Sequence, residues 1–145
     1  MNEVHFRKLE RMYLNANVNT QFYDTTTAQI TKGQAEIGLD ISEKYFHALG
    51  AIHGSVYFKL LDDAAFFAVN SMVEEVFVLT TNFNLQLTRP ASSGRITAIG
   101  KVKFQSQNLW VAESSLVNDQ GKEIAFGAGN FMRSKVALSE KIGYV

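Results

Sequence analysis

The chain is 145 residues long with 46% hydrophobic and 19% charged residues, which suits one folded domain over 1–145 and excludes a disordered polymer. Its 14 basic and 14 acidic side chains cancel, so the positive surplus that draws proteins to nucleic acid or anionic membranes is missing, and an anionic ligand would need a local patch. With no cysteine there is no disulfide, thiolate metal site or cysteine nucleophile.

The N-terminal stretch MNEVHFRKLERMYLNAN carries charges every few residues and lacks the apolar core of a secretory signal. No later run approaches the ~20 apolar residues of a membrane span, so a cytoplasmic protein with no membrane partner is expected. Val4, Leu9, Met12, Tyr13 and Ala16 recur at near-helical spacing and predict an amphipathic helix over 4–16, ended near Asn15 and Asn17, with His5 on its surface. Residues 22–41 are rich in threonine and β-branched side chains, with Lys32-Gly33 as a turn. There Ala35, Ile37, Leu39 and Ile41 alternate with polar or small residues, the pattern of a hairpin with one buried face.

After a loop from His47 to Gly54, the run SVYFKLLDDAAFFAVNSMVEE is about five helical turns long and apolar on nearly every side, so other elements must wrap it. Four strands follow. Phe77, Leu79, Thr81, Phe83, Leu85 and Leu87 form a period of two that ends at Pro90, and Ile96 to Phe104 form another. Strands over 109–118 and 122–134 are joined by Asp119-Gln120-Gly121. Short connections make neighbouring strands antiparallel, and strands this long can curve around one helix. The expected architecture is α+β: a long central helix wrapped by a curved antiparallel sheet, the hotdog arrangement, with an N-terminal helix. Open sheet edges favour pairing with a second copy, so a homodimer at least is expected.

Zinc-protease, nucleophile-elbow and calcium-loop motifs are absent. Gly94 and Gly100-Lys101 miss the phosphate-loop spacing by one residue, and Gly127-Ala128-Gly129 lacks the third glycine of a dinucleotide loop. Two histidines without a third ligand make a poor metal site, so no metal is expected. What remains is HALGAIHGSVYFKLLDDAAFFA. His53-Gly54 opens the long helix, where free backbone N–H groups and the positive end of the dipole can hold an oxyanion, and glycine lets a carbonyl approach closely. Asp62 and Asp63 lie midway along an apolar helix, where a carboxylate needs a partner. Lys59 can reach either, at i,i+3 or i,i+4, which accounts for one aspartate and leaves the other for chemistry.

The pattern H-G-x-x-x-x-x-L-x-D-x-A, from His53-Gly54 through Leu60, Asp62 and Ala64, followed by a strand ending at Pro90-Ala91, resembles hotdog-fold acyl-CoA thioesterases of the phenylacetyl-CoA thioesterase (PaaI-like) kind. The likeness spans about His47 to Arg133. It implies that the Gly54 N–H polarises the thioester carbonyl, that Asp62 acts as general base or nucleophile, and that Asp63 is left to Lys59. It also implies that His47 occupies the place of a water- or thioester-positioning amide, and Thr80 that of a hydroxyl assisting the same water. Two departures bear on substrate preference and pH behaviour: Ser55 replaces the second glycine of the usual His-Gly-Gly, and His47 can titrate where an amide cannot. By strand parity alone, Thr80 falls with Asn82 and Asn84 and faces solvent.

Gly54 and Asp62 are eight residues apart, about 12 Å along a helix, so one helix cannot aim both at one carbonyl carbon. A shared substrate then requires Asp62 from a second subunit whose long helix runs antiparallel, with two sites per dimer. The expected activity is metal-free acyl-CoA hydrolysis by a homodimer or homotetramer. No cofactor is expected apart from the coenzyme A carried by the substrate. His47, His53 and Thr80 would orient the reactants, and Arg89, Lys101, Lys103, Arg133 and Lys135 are unranked candidates for the phosphates. Phe58, Phe66, Phe67, Phe77, Phe83 and Trp110 are core aromatics that could also line a pocket for a medium-chain or aromatic acyl group. The alternative is a non-catalytic hotdog protein that binds acyl-CoA.

Overall fold

In the computed structural model, which describes residues 2–145, α1 spans Glu3–Leu14 and begins at Asn2, whose side chain accepts from the His5 N–H. Its buried stripe is His5, Phe6, Leu9, Met12 and Tyr13. The expected stripe is therefore corrected at both ends: Val4 is 63% exposed, Ala16 is exposed, and His5 is only 1% exposed. His5 is tolerated inside because both ring nitrogens are used. Nε2–H donates to Asn70 O at 2.9 Å, and Nδ1 accepts from the Tyr144 hydroxyl at 2.7 Å. A short α2 (Asn17–Gln21) follows and is tied to α1 by the Asn19 amide, which donates to Tyr13 O at 2.7 Å.

β1 (Thr27–Thr31) and β2 (Gln34–Asp40) form the expected hairpin. Its turn needs Gly33, which has φ +73°. A 3₁₀ turn over Glu43–Tyr45 leads to α3 (Gly54–Asn70), then β3 (Val76–Leu87), β4 (Arg95–Gln105), β5 (Trp110–Val117) and β6 (Glu123–Ala137). The six strands make one antiparallel sheet in the order β1-β2-β4-β5-β6-β3, with α3 against its concave face. This is the hotdog fold.

Close packing of α3 on the sheet follows from small residues facing one another. Ala64 and Ala65 are fully buried, and a Cβ on Gly100 of β4 would lie 2.2 Å from Ala64 O, so only glycine lets this strand meet the helix. The Ser114 hydroxyl of β5 donates to Leu61 O at 2.7 Å. The helix stops five residues short of the apolar run read from the sequence, and Asn70 is the reason. Its amide donates to Val73 O and Val76 O, and its carbonyl accepts from Val78 N–H at 3.0 Å, fastening the turn into β3. Among the described residues, no helix is long and apolar enough to cross a membrane.

Candidate active site

Local chemistry at the start of α3 sets the first half of the site. His53 is the N-cap: its Nδ1 accepts from Ser55 N–H at 3.1 Å, with the Ser55 hydroxyl 2.9 Å away. That bond holds the ring's lone pair on Nδ1 and its proton on Nε2. His47, in the preceding loop, is set likewise, with Nδ1 accepting from Leu49 N–H at 3.1 Å. Gly54 is the first helical residue, so its N–H has no intrahelical acceptor and lies at the positive end of α3. A Cβ there would touch only Leu87 Cδ1, at 3.3 Å. Gly54, His47, Leu87 and Arg89 border a cavity of about 260 Å³.

Asp62 forms the second half, two turns along the helix. Its Oδ1 accepts from the Thr80 hydroxyl of β3 at 2.8 Å, and it borders a different cavity, of about 580 Å³. Burial pushes its carboxyl up to about 6; the Thr80 hydrogen bond opposes this, the Asp63 charge adds to it, and Lys59 opposes it weakly.

The placement of Thr80 corrects the solvent-facing parity read from the strand. A β-bulge leaves Thr81 unpaired between Thr80↔Phe131 and Asn82↔Asn130, so the pleat changes phase there. Val78 and Thr80 face α3 before the bulge. After it the inward parity passes to Phe83 and Leu85, with Phe83 packing on Phe58 at a ring separation of 5.8 Å.

Asp63 is occupied otherwise. Its Oδ2 accepts from Lys59 Nζ at 2.5 Å and from the Tyr13 hydroxyl at 2.6 Å. The Lys59 ammonium also sits 5.0 Å from the Tyr13 ring centre and 4.8 Å from that of Tyr23. Burial first, then the Asp63 charge, holds the Tyr13 phenol well above its ordinary range, so it acts as a donor. Tyr13 escapes sequence reading. Its place in the α1 stripe marks it as buried, but nothing in the local pattern connects its hydroxyl to an aspartate fifty residues away.

Of the aromatic candidates, Phe66, Phe67 and Phe77 line the cavity beside Asp62, Phe58 borders a shallow pocket beside Gly54, and Trp110 is buried in the core. Among the basic candidates, Arg89 lies beside Gly54. Arg133 pairs with Glu75 at 3.0 Å, Lys103 approaches Glu113 at 4.0 Å, and Lys101 lines a groove beside Glu113 and Glu123. Lys135 is exposed on β6. Gly54 and Asp62 are not brought together within one chain and border separate cavities. Among the described residues, no three His, Asp or Glu side chains cluster as metal ligands would.

Comparison with known proteins places this geometry. The family described as the thioesterase superfamily matches residues 49–125, from the His47 loop into β6. The fold is similar to that of the Escherichia coli PaaI protein from the phenylacetic acid degradation operon, with a TM-score of 0.83 and 20% identity over 94% of this chain and 97% of that one. It is also similar to a thioesterase of Haemophilus influenzae, with a TM-score of 0.75 and 16% identity over 88% of each chain. A Saccharolobus solfataricus protein provisionally named an esterase is 22% identical over 132 residues, 90% of this chain and 94% of that one. The family match spans more than half of the chain, which therefore belongs to the thioesterase superfamily as a thioester hydrolase with a PaaI-like hotdog fold.

Proposed function

We propose that the protein hydrolyses acyl-CoA thioesters carrying a medium-chain or aromatic acyl group, at a site shared between two copies of the chain. The observation that carries this reading is the position of Asp62, a half-buried carboxylate held by Thr80 at the edge of an apolar cavity on a helix whose N-terminus offers a free amide about 12 Å away. Within one chain the two groups cannot meet at one carbonyl. β3 supports a second copy: it is an edge strand, and Leu79 and Leu87 along it are 48% and 51% exposed. Pairing two such edges antiparallel would set one α3 against the other in opposite sense, Gly54 of one chain towards Asp62 of its partner.

In that arrangement the Gly54 N–H donates to the thioester oxygen as it gains charge. Asp62 Oδ2 accepts a proton from water attacking the carbonyl carbon while Oδ1 stays on Thr80. The C–S bond breaks, and coenzyme A leaves as a thiolate that takes up the proton. A carboxyl near 6 is a stronger base than an ordinary aspartate yet ionised at neutral pH. His53 holds the N-terminus of α3 in register, and His47 offers its Nε2–H beside Gly54. Arg89 lies on the same side and is the basic group best placed for the nucleotide phosphates.

The test is thiol release from a panel of acyl-CoAs by the unaltered protein, Asp62→Asn and Asp63→Asn. Asp62→Asn is expected to lose ~10²–10⁴-fold, the range for a positioned base, and Asp63→Asn far less. Equal losses, or an active protein that stays monomeric at assay concentration, would overturn the shared-site mechanism.

A further inference from the structure

The cavity beside Asp62 takes nearly half of its lining from parts of the chain outside the stretch that matches the family. Asp62, Phe66, Phe77, Leu79 and Thr80 lie within residues 49–125, but the facing wall is the corner between α1 and α2, through Met12, Tyr13, Ala16 and Val18. On the reading that Asp62 acts at the thioester carbonyl, we propose that this helical corner selects the acyl group, with Ala16 and Val18 as the residues that set how long a tail is accepted.

Three observations support the assignment. An acyl carbon within reach of Asp62 can place its substituent in the cavity that Asp62 borders, and apart from the Asp62, Asp63 and Lys59 cluster that cavity is mostly aliphatic and aromatic. Its volume of about 580 Å³ suits a tail of several methylenes or a ring. The wall is also held in place, as a selecting surface must be. The Tyr13 hydroxyl donates to Asp63 at 2.6 Å, its ring meets Phe67 edge-on at 4.9 Å, and the Asn19 amide ties α2 to Tyr13 O. This gives the Lys59, Asp63 and Tyr13 cluster a task apart from chemistry: it fastens the corner to the helix that carries Asp62. Val18 is 50% exposed and Ala16 is exposed, so both reach the cavity from its open side, and larger side chains there fill the cavity without disturbing the core.

Val18→Trp and Ala16→Trp would shorten the accepted tail, and Val18→Ala would lengthen it. The measurement is the ratio of kcat/KM for decanoyl-CoA to that for acetyl-CoA, which cancels any general loss of folded enzyme. Each seated methylene contributes about fourfold, so excluding even two lowers the ratio by about tenfold or more in the tryptophan variants, while Val18→Ala raises it. A ratio unchanged in all three variants overturns the proposal. Binding of non-hydrolysable S-alkyl-CoA thioethers of two, six and ten carbons provides a separate readout. If the protein turns over no thioester yet its affinity rises with alkyl length and Val18→Trp abolishes that rise, the wall stands and hydrolysis by Asp62 fails. If hydrolysis proceeds but thioether affinity is insensitive to length in both proteins, the wall falls and hydrolysis stands.

Discussion

The Thr80 hydroxyl donates to Asp62 Oδ1 at 2.8 Å from a strand whose pleat has been reset by one unpaired residue, Thr81. Without the bulge, a regular β3 could not turn both Thr80 and Phe83, three residues apart, towards α3. The bulge lets one strand supply a polar contact to the carboxylate and an apolar contact to Phe58, one turn nearer the N-terminus of the helix.

Thr80→Val removes a donor that stabilises the charged carboxylate, so the Asp62 carboxyl rises further above about 6. The acid limb of the kcat/KM profile is expected to move to higher pH, with a loss of about tenfold at pH 7, the scale of one hydrogen bond to a charged group. Thr80→Ser is expected to restore both. A pH profile that stays in place in the valine variant would show that Thr80 does not act on Asp62.

Asp62→Asn is expected to stabilise the fold while it removes activity. Burial raises the carboxyl to about 6 in the folded protein, so the folded state holds this proton more tightly than the unfolded chain. The resulting stability is complete below the unfolded value near 4 and is lost as pH rises through about 6. At pH 7 the buried charge therefore costs stability, ~1–2 kcal/mol once its partial exposure is discounted, and a neutral amide still accepts from Thr80. Thermal unfolding at pH 7 should show a Tm higher by about 3 °C or more, with the gain shrinking towards pH 4. A lower Tm at pH 7 would contradict the burial argument.

Two glycine substitutions should separate function from fold. A Cβ at Gly54 meets only the flexible end of Leu87 at 3.3 Å, so Gly54→Ala is expected to keep its Tm but lose thiol release, because the methyl stands where a carbonyl must approach the amide. A Cβ at Gly100 meets Ala64 O at 2.2 Å and Ala65 N at 2.6 Å, both backbone, so Gly100→Ala should destabilise by about 3 kcal/mol. Denaturant unfolding and thiol release measured on both variants test the contrast; a Gly54→Ala protein as unstable as Gly100→Ala would contradict it.

Period and length were sufficient for the architecture. The alternation in 34–41 marks β2, the run from Val56 to Val69, apolar apart from Lys59, Asp62 and Asp63, marks a helix that must be wrapped, and Asp119-Gln120-Gly121 marks the last hairpin. Lys59 and Asp63 are likewise legible, being one helical turn apart. His5 is not, because its burial depends on Tyr144 and Asn70, which lie far along the chain and supply its two hydrogen bonds. Nor is the end of α3, which the Asn70 side chain sets by bonding ahead into β3.

What the residues alone determined is the set of local periodicities, and with them the hotdog arrangement and the spacing of Gly54 and Asp62 on one helix. Only the tertiary structure decided which way Thr80 points, which hydroxyl holds Asp63, and that the corner of α1 and α2 walls the cavity beside Asp62. The physical reason is that periodicity reports a single buried face per element. A bulge that changes that face, or a polar contact between distant elements, depends on the packed chain and leaves no repeating mark in the sequence.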